Sequence, residues 1–262
     1  LANWLTLHQP IVVVDEAHNN RTEQAFRTLR ELHPACVIEL TATPMSDSNV
    51  IYHVGAQALA NENMIKLPIV LMEHKNGWKD AVRDAILTRD RLELLAAQES
   101  DYIRPVLLFQ AEDVNGEANV EALLAHLTSQ DGEKLDRRQI AVATGDQKEL
   151  DGVTLAEPTG PIRFVITVKA LKEGWDCPFA YVLCSLQDMK SGKDVEQLLG
   201  RVLRMPYARA GQQPEMGKAY AHVVSMAAAR AADALVDALV KNMGFERYEA
   251  LAAVIPAQTA FQ

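Results

Sequence analysis

The stretch IVVVDEAH, residues 11–18, decides how the rest of the sequence is read. Ile11 to Val14 is a short, continuous β-branched run, the pattern of a strand covered on both faces in a parallel sheet. Asp15 and Glu16 follow at once, so two carboxylates stand at the carboxyl end of that strand, where open α/β sheets bind ligands. An Asp there can hold Mg²⁺ through its oxygens, and the neighbouring Glu can orient or deprotonate a water attacking a terminal phosphate. Taken alone, the tetrapeptide is also consistent with a solvated acidic loop capping the next helix.

Moving outward, Ala25, Phe26, Leu29 and Leu32 recur at helical spacing and predict a helix between Arg21 and His33, stopped by Pro34. Cys36 to Leu40 reads as the next buried strand, and Thr41-Ala42-Thr43-Pro44 leaves it as DEAH leaves the first. Two hydroxyls at a strand end can hydrogen-bond to neighbouring carboxylates or to His18, although Thr and Pro after a strand also make an ordinary turn. The alternation continues with a predicted helix over 78–98 (Trp78, Val82, Ile86, Leu92, Leu94, Leu95), a buried strand at Val106 to Phe109, and a helical face of Val120, Leu123, Leu124 and Leu127. Short strands are expected at Gln139 to Ala143, Arg163 to Thr167 and Tyr181 to Ser185. Val195, Leu198, Leu199, Val202 and Leu203 then line a helix ended by Pro206. A Pro-, Gly- and Gln-rich loop, a strand at Ala219 to Val224 and an Ala-rich packing helix at about 226–243 close the chain. Alternating strands and helices imply an α/β fold with mostly parallel sheets. The sequence contains no internal repeat.

A chain of 262 residues is long enough for one and a half to two domains of about 150 residues each. We expect the boundary near residues 61–70, around Pro68. With 48% hydrophobic and 23% charged residues, a disordered or low-complexity protein is excluded. The net charge of -9 excludes binding of nucleic acid through a general cover of positive charge. Any such binding has to be local. Residues 161–218 carry nine basic side chains against six acidic, leaving 17 against 29 elsewhere, so the basic surplus is confined to that stretch. Cys36, Cys177 and Cys184 are odd in number and lack CxxC spacing, which suggests neither a disulfide framework nor a zinc site. A reducing cytoplasm is expected, and no apolar run is long enough to span a membrane.

Two further segments can carry chemistry. QLLGRVLR (197–204) places Gln197, Gly200, Arg201 and Arg204 at helical spacings of three and four, so that they share a face. Two guanidinium groups there form a clamp for a phosphoryl group, and equally a solvated helix face. TVKALKEGWDCP (167–178) leaves the strand ending at Thr167 and reaches a Gly-Trp-Asp turn able to bring backbone close to a ligand, or to hold a buried Trp.

In this order, DEAH, TATP, TVKALKEGWDCP and QLLGRVLRMP resemble motifs II, III, V and VI of superfamily-two helicases and translocases. EGWDCPFAYVLC followed by EQLLGRVLRMPYA looks most like the Res (restriction) subunit of type III restriction enzymes. The resemblance implies two RecA-like lobes, over 1–66 (motifs II and III) and 67–262 (motifs IV, V and VI), the first truncated at its N-terminus. It implies an ATP hydrolase moving on DNA. By resemblance Asp15 binds Mg²⁺, Glu16 acts on the attacking water, and His18 with Thr41 and Thr43 couples the nucleotide site to nucleic acid. Arg201 and Arg204 resemble arginine fingers with Gln197 and Gly200 beside them, Thr167 lies near the nucleic-acid backbone, and Gly174 and Asp176 line the lobe interface. Val106 to Gln110 resembles motif IV, and Thr144-Gly145-Asp146 approaches the backbone. A methyltransferase subunit that recognises sequence and a nuclease domain elsewhere are implied partners; a membrane is not.

The sequence departs from this pattern in lacking GxxxxGK[ST], the loop that cradles phosphates. The nearest approach, GQQPEMGKA at 211–219, has one residue too many between its glycines, Ala in place of Ser or Thr, and a predicted strand after it. With Leu1 first and residues 1–14 running into a strand, we expect a piece of a longer polypeptide that begins after motif I. Glu73-His74-Lys75 has the ExK form of a nuclease site, but on a charged interlobe segment it reads as solvated charge. Two other classes stay open: a non-catalytic nucleic-acid-binding or scaffold module of helicase fold, and a repair or defence ATPase outside restriction. A phosphate loop upstream and a nuclease downstream separate the three.

Overall fold

A computed structural model describes residues 2–15, 17, 22–41, 44–45, 48–144, 149–155, 157–168, 177–187, 200–224, 232–233, 235–237, 239–240 and 244–257. Two compact units divide it, one over residues 1–53 and 241–244 and the other over 54–240 and 245–262.

In the first unit, α1 (Ala2–His8) precedes β1 (Ile11–Val14), then come α2 (Glu23–Glu31) and β2 (Cys36–Glu39). The strands pair in parallel from Ile11 opposite Cys36 to Val14 opposite Glu39. Thr22 caps α2, its hydroxyl accepting from the Ala25 N–H at 3.2 Å. Two expectations are corrected here. A helix stands where the chain was expected to run directly into a strand, with Trp4 packing on His8 one turn later at a ring separation of 4.3 Å. Nor is β1 enclosed: Ile11 is 67% and Val13 59% exposed, and every residue of β2 is exposed. A two-stranded parallel ribbon has too little surface around it to cover both faces, whatever its β-branched content.

The second unit is built on α3 (Ala56–Asn61), β3 (Ile69–His74), α4 (Trp78–Ala96), β4 (Val106–Gln110), α5 (Val120–Thr128), β5 (Ile140–Val142), β6 (Phe164–Thr167), β7 (Ala180–Ser185), β8 (Ala219–Val224), α6 (Arg247–Ala253) and β9 (Val254–Pro256). The strands form a seven-stranded sheet in the order β5-β6-β4-β7-β8-β3-β9. Every pairing is parallel. This is the mixed α/β architecture expected from the alternating pattern, and here the continuous apolar runs do mark enclosed strands: all of β4 and all of β7 are buried. Strand β3 corrects the expectation of a charged interlobe segment. Ile69-Val-Leu-Met is apolar enough to enter the sheet between β8 and β9, carrying Glu73 and His74 at its end.

Gly77, with φ of 109°, makes the turn from β3 into α4, a conformation that an L side chain would strain. Helix α4 ends at Ala96, close to the sequence expectation, and buries Ala81, Val82, Ala85, Ile86 and Leu92. Arg89, also buried on this helix, donates from Nε to the Pro105 carbonyl at 3.0 Å and from Nη1 to Asp90 and Glu93, while its Nη2 meets no hydrogen-bond partner among the described residues. Helix α5, capped by Asn119, contributes Leu123 and Leu127. The described residues of the Ala-rich helix, among 232–240, bury Leu235, Val236 and Leu239, in keeping with a packing role. Among the described residues no helix is long and apolar enough to cross a membrane.

Phe109, fully buried in β4, stacks against Phe164 of β6 with ring centroids 6.4 Å apart. Truncating it leaves a cavity that the flanking strands cannot close, so Phe109→Ala is expected to destabilise the second unit by about 3–5 kcal/mol. A urea titration followed by circular dichroism measures this, and a midpoint equal to that of the parent refutes it.

Candidate functional site

In the first unit the strand exits carry two of the residues singled out by sequence. The Leu40 N–H donates to the Val14 carbonyl at 2.9 Å and the Ala17 N–H to the Leu40 carbonyl at 3.1 Å, so the ends of β1 and β2 are tied together. Asp15, exposed, and Thr41, half-buried, therefore leave two paired parallel strands side by side. An exposed carboxylate at such an exit has the hard oxygen donors that a hydrated Mg²⁺ takes. Glu16, His18 and Thr43 lie outside the described residues.

In the second unit the exits of three neighbouring strands are polar and buried: Gln110 of β4, Thr167 of β6 and Ser185 of β7. A buried polar group without a partner costs about 1–3 kcal/mol, and here Gln110 and Ser185 are partners of each other. The Ser185 hydroxyl donates to Oε1 of Gln110 at 2.9 Å. Gln187, two residues beyond β7, donates from Nε2 to the carbonyls of Ala111 and Val168, both at 2.8 Å. The Ala111 N–H reaches the Thr167 carbonyl at 2.8 Å, and the Leu186 N–H the Gln110 carbonyl at 2.9 Å. Gln187 thus locks the exits of β4, β6 and β7 into one surface, with Thr167 in it. Its role was missed from sequence, where the available signal was a polar residue closing each apolar run in VLLFQ and VLCSLQ.

Gly200, Arg201 and Val202 form a helical turn; Arg201 is half-buried, Val202 and Leu203 are buried, and Arg204 is exposed. Arg204 leaves the turn in an antiparallel bridge with Ile65. Its carbonyl accepts from the ammonium of Lys66, which also donates to the carbonyl of Pro178 at 3.0 Å. Pro178 stands before the entry to β7, whereas Thr167 stands at the exit of β6, so the structure does not bring Arg204 and Thr167 together. Gly174, Asp176 and Gln197 lie outside the described residues, as do Gly145 and Asp146 beyond Thr144. The GQQPEMGKA segment forms a short 3₁₀ turn at Pro214–Gly217 and enters β8, a strand instead of a helix, which agrees with its rejection as a phosphate loop.

A second buried polar cluster joins β3, β8 and α4. Nε2 of His74 lies 3.0 Å from Nδ1 of His222, whose Nε2 lies 3.1 Å from the Thr88 hydroxyl. Nδ1 of His74 faces Asp84 at 3.6 Å. Both rings can stay neutral with Thr88 donating to His222 and His222 to His74, which leaves the Nδ1–H of His74 turned toward the Asp84 carboxylate. His74 also lines an open cavity of about 960 Å³ with Glu73, Lys75 and Asp84. Among the described residues no group of three or more His, Cys, Asp or Glu side chains is gathered as a metal centre requires.

No protein-family model matches the chain, and no curated protein matches its sequence. Solved structures do match. The ATP-dependent Type ISP restriction-modification enzyme LlaBIII bound to DNA superposes with a TM-score of 0.52 at 13% identity, covering 97% of this chain and 23% of that one. A variant of S. cerevisiae Dbp5 bound to RNA and ADP BeF3 gives 0.52 at 16% identity over 95% of this chain and 60% of that one. Dbp5 itself, bound to the same ligands, gives 0.50 at 16% over 96% and 61%. The chain therefore spans less than two thirds of each of these neighbours, and at these identities what it shares with them is the RecA-like fold.

Burial, and then the adjacent His74, pushes the His222 imidazole down to about 3. Burial also lowers His74, against the upward pull of Asp84 and Asp80. Both groups are neutral in the fold and have an ordinary value of about 6.5 when unfolded, so the unfolded chain takes up protons first as pH falls. Their contribution is complete above about pH 6.5 and is lost progressively toward pH 3. The urea midpoint is expected to drop between pH 7 and pH 4, and to drop less steeply in His222→Gln. Equal slopes in the two proteins would contradict this account of the pair.

Proposed function

We propose that this chain is the motor portion of an ATP-dependent DNA helicase or translocase of a type III restriction-like enzyme. The observation that carries this reading is the arginine-bearing turn at Gly200–Arg204, which lies in the chain between β7 and β8 of a seven-stranded parallel sheet. Support comes from the fold shared with a DNA-bound restriction-modification enzyme and with a protein bound to RNA and ADP BeF3. The basic surplus over 161–218 gives local attraction for a phosphate backbone on an otherwise acidic chain.

In this proposal residues 1–66 and 67–262 belong to two RecA-like lobes. Asp15 holds Mg²⁺ at the exit of β1, Glu16 orients the attacking water, and His18, Thr41 and Thr43 pass the state of that site to the nucleic acid. Arg201 and Arg204, with Gln197 and Gly200 near them in the chain, offset negative charge that develops on the transferred phosphoryl group. Thr167 lies near the nucleic-acid backbone, and Gly174 with Asp176 lines the surface between lobes. When bound, MgATP supplies the phosphoanhydride whose cleavage drives the cycle. A methyltransferase subunit, a nuclease domain elsewhere and a cytoplasmic setting complete the proposal. The missing GxxxxGK[ST] keeps a second reading in play, a non-catalytic module that binds nucleic acid through the same fold.

The two are separated by ATPase assays on this chain and on the polypeptide that joins a phosphate-binding loop to it. Purified alone, the 262-residue chain is expected to turn over ATP negligibly. In the loop-bearing polypeptide, DNA-stimulated hydrolysis is expected to fall by roughly 10³–10⁵ in Arg201→Ala or Arg204→Ala, as for the loss of an arginine finger. An unchanged rate in both variants rejects the assignment of these arginines. Absence of any phosphate loop from the gene favours the non-catalytic module.

A further inference from the structure

We propose that Lys66 is a positioning residue for the arginine pair, setting Arg201 and Arg204 through main-chain carbonyls; this rests on the proposal that these arginines act on a phosphoryl group. Lys66 has no exposed surface, an unusual place for an ammonium. Its Nζ donates to the Pro178 carbonyl at 3.0 Å and to the Arg204 carbonyl, and it lies 4.2 Å from the centroid of the Tyr181 ring. Burial raises the pKa of Tyr181, so the ring under the cation is a neutral phenol. The main chain repeats the connection. The Lys66 N–H donates to the Leu203 carbonyl at 2.6 Å, the Met205 N–H donates to the Met64 carbonyl at 3.0 Å, and Ile65 pairs with Arg204 between them.

Carbonyls just past a helical turn have no partner within it, and a lysine ammonium is one of the groups that satisfies them. Here a single ammonium fixes a carbonyl at the end of the arginine turn and another directly before β7, on a segment that follows Gly174 and Asp176 in sequence. An apolar side chain of equal volume would fill the same space but hold neither carbonyl. Lys66 thereby sets the rotation and height of the turn that carries Arg201 and Arg204. It also ties that turn to the residues entering β3, so movement of the connecting chain is transmitted to the arginines. Misplacing a reacting group by about 1 Å can cost on the order of 10²-fold in rate.

Two measurements test this. Hydrogen–deuterium exchange of the 262-residue chain should show Lys66→Met speeding exchange at residues 200–205, while the amides of β4, β6 and β7 stay protected. Should that variant fail to fold, Lys66→Gln, which keeps an N–H donor group without the charge, takes its place. In the loop-bearing polypeptide, Lys66→Met should lower kcat by roughly 10–100-fold with KM for ATP little changed, and should cost much less in an Arg201→Ala/Arg204→Ala background. Unchanged exchange at 200–205, or an equal proportional loss in both backgrounds, overturns the inference. Full activity in the double arginine variant overturns the functional assignment instead, and the exchange result still decides whether Lys66 holds the turn.

Discussion

Strand β4 lies between β6 and β7 with every residue from Val106 to Gln110 enclosed, and a parallel strand enclosed in this way has to satisfy its polar groups where it stops. That constraint shapes the exit edge of the sheet. Gln110, Thr167 and Ser185 close three apolar runs at the same level, and Gln187 returns to bind the carbonyls of Ala111 and Val168. The result is a polar edge held rigid by an apolar sheet, the kind of surface on which α/β proteins place ligand chemistry. Stability and site geometry thus depend on the same hydrogen bonds.

The entry edge is organised differently. A cation is enclosed there among carbonyls and an aromatic face, and those carbonyls belong to the arginine turn and to the approach to β7. Taking an ammonium out of water is costly, and replacing such a group by an apolar residue of similar size is often neutral or stabilising. Retaining Lys66 is understandable if the location of the turn matters more than the last increment of stability. The His74–His222 pair meets the same problem of buried polarity by staying neutral, with their facing ring nitrogens 3.0 Å apart and the Thr88 hydroxyl at the other nitrogen of His222. The second unit thus meets buried polarity with a neutral pair at His74 and His222 and with a buried cation at Lys66, whose carbonyl partners are those of Pro178 and Arg204.

Legibility from sequence varied with how much neighbouring chain an element needed. Strands β4, β6, β7 and β8 were readable because their apolar runs lie within a unit large enough to cover them. Ile11–Val14 has the same composition and the opposite environment, since burial is a property of what surrounds a strand. Strand β3 was hidden by Glu73-His74-Lys75, charges that sit only at its end. Of the candidate residues, Asp15, Thr41 and Thr167 could be named from their place at a strand exit, and Arg201 with Arg204 from a helical spacing that the chain abandons before Arg204. Lys66 could not, because nothing in NENMIKLP distinguishes a lysine that folds inward from one that remains in solvent.

By itself the sequence determined the alternation of strand and helix, the parallel α/β class, and which polar residues stand at strand ends, because periodicity and turn chemistry act over a few neighbouring residues. Only the tertiary structure decided that β1 is exposed while β4 is enclosed, that Gln187 joins three strands, and that Lys66 meets Arg204 across a sequence gap of 138 residues. Those outcomes depend on which distant segments share a dielectric environment and a hydrogen-bond partner, and no local pattern of side chains encodes that.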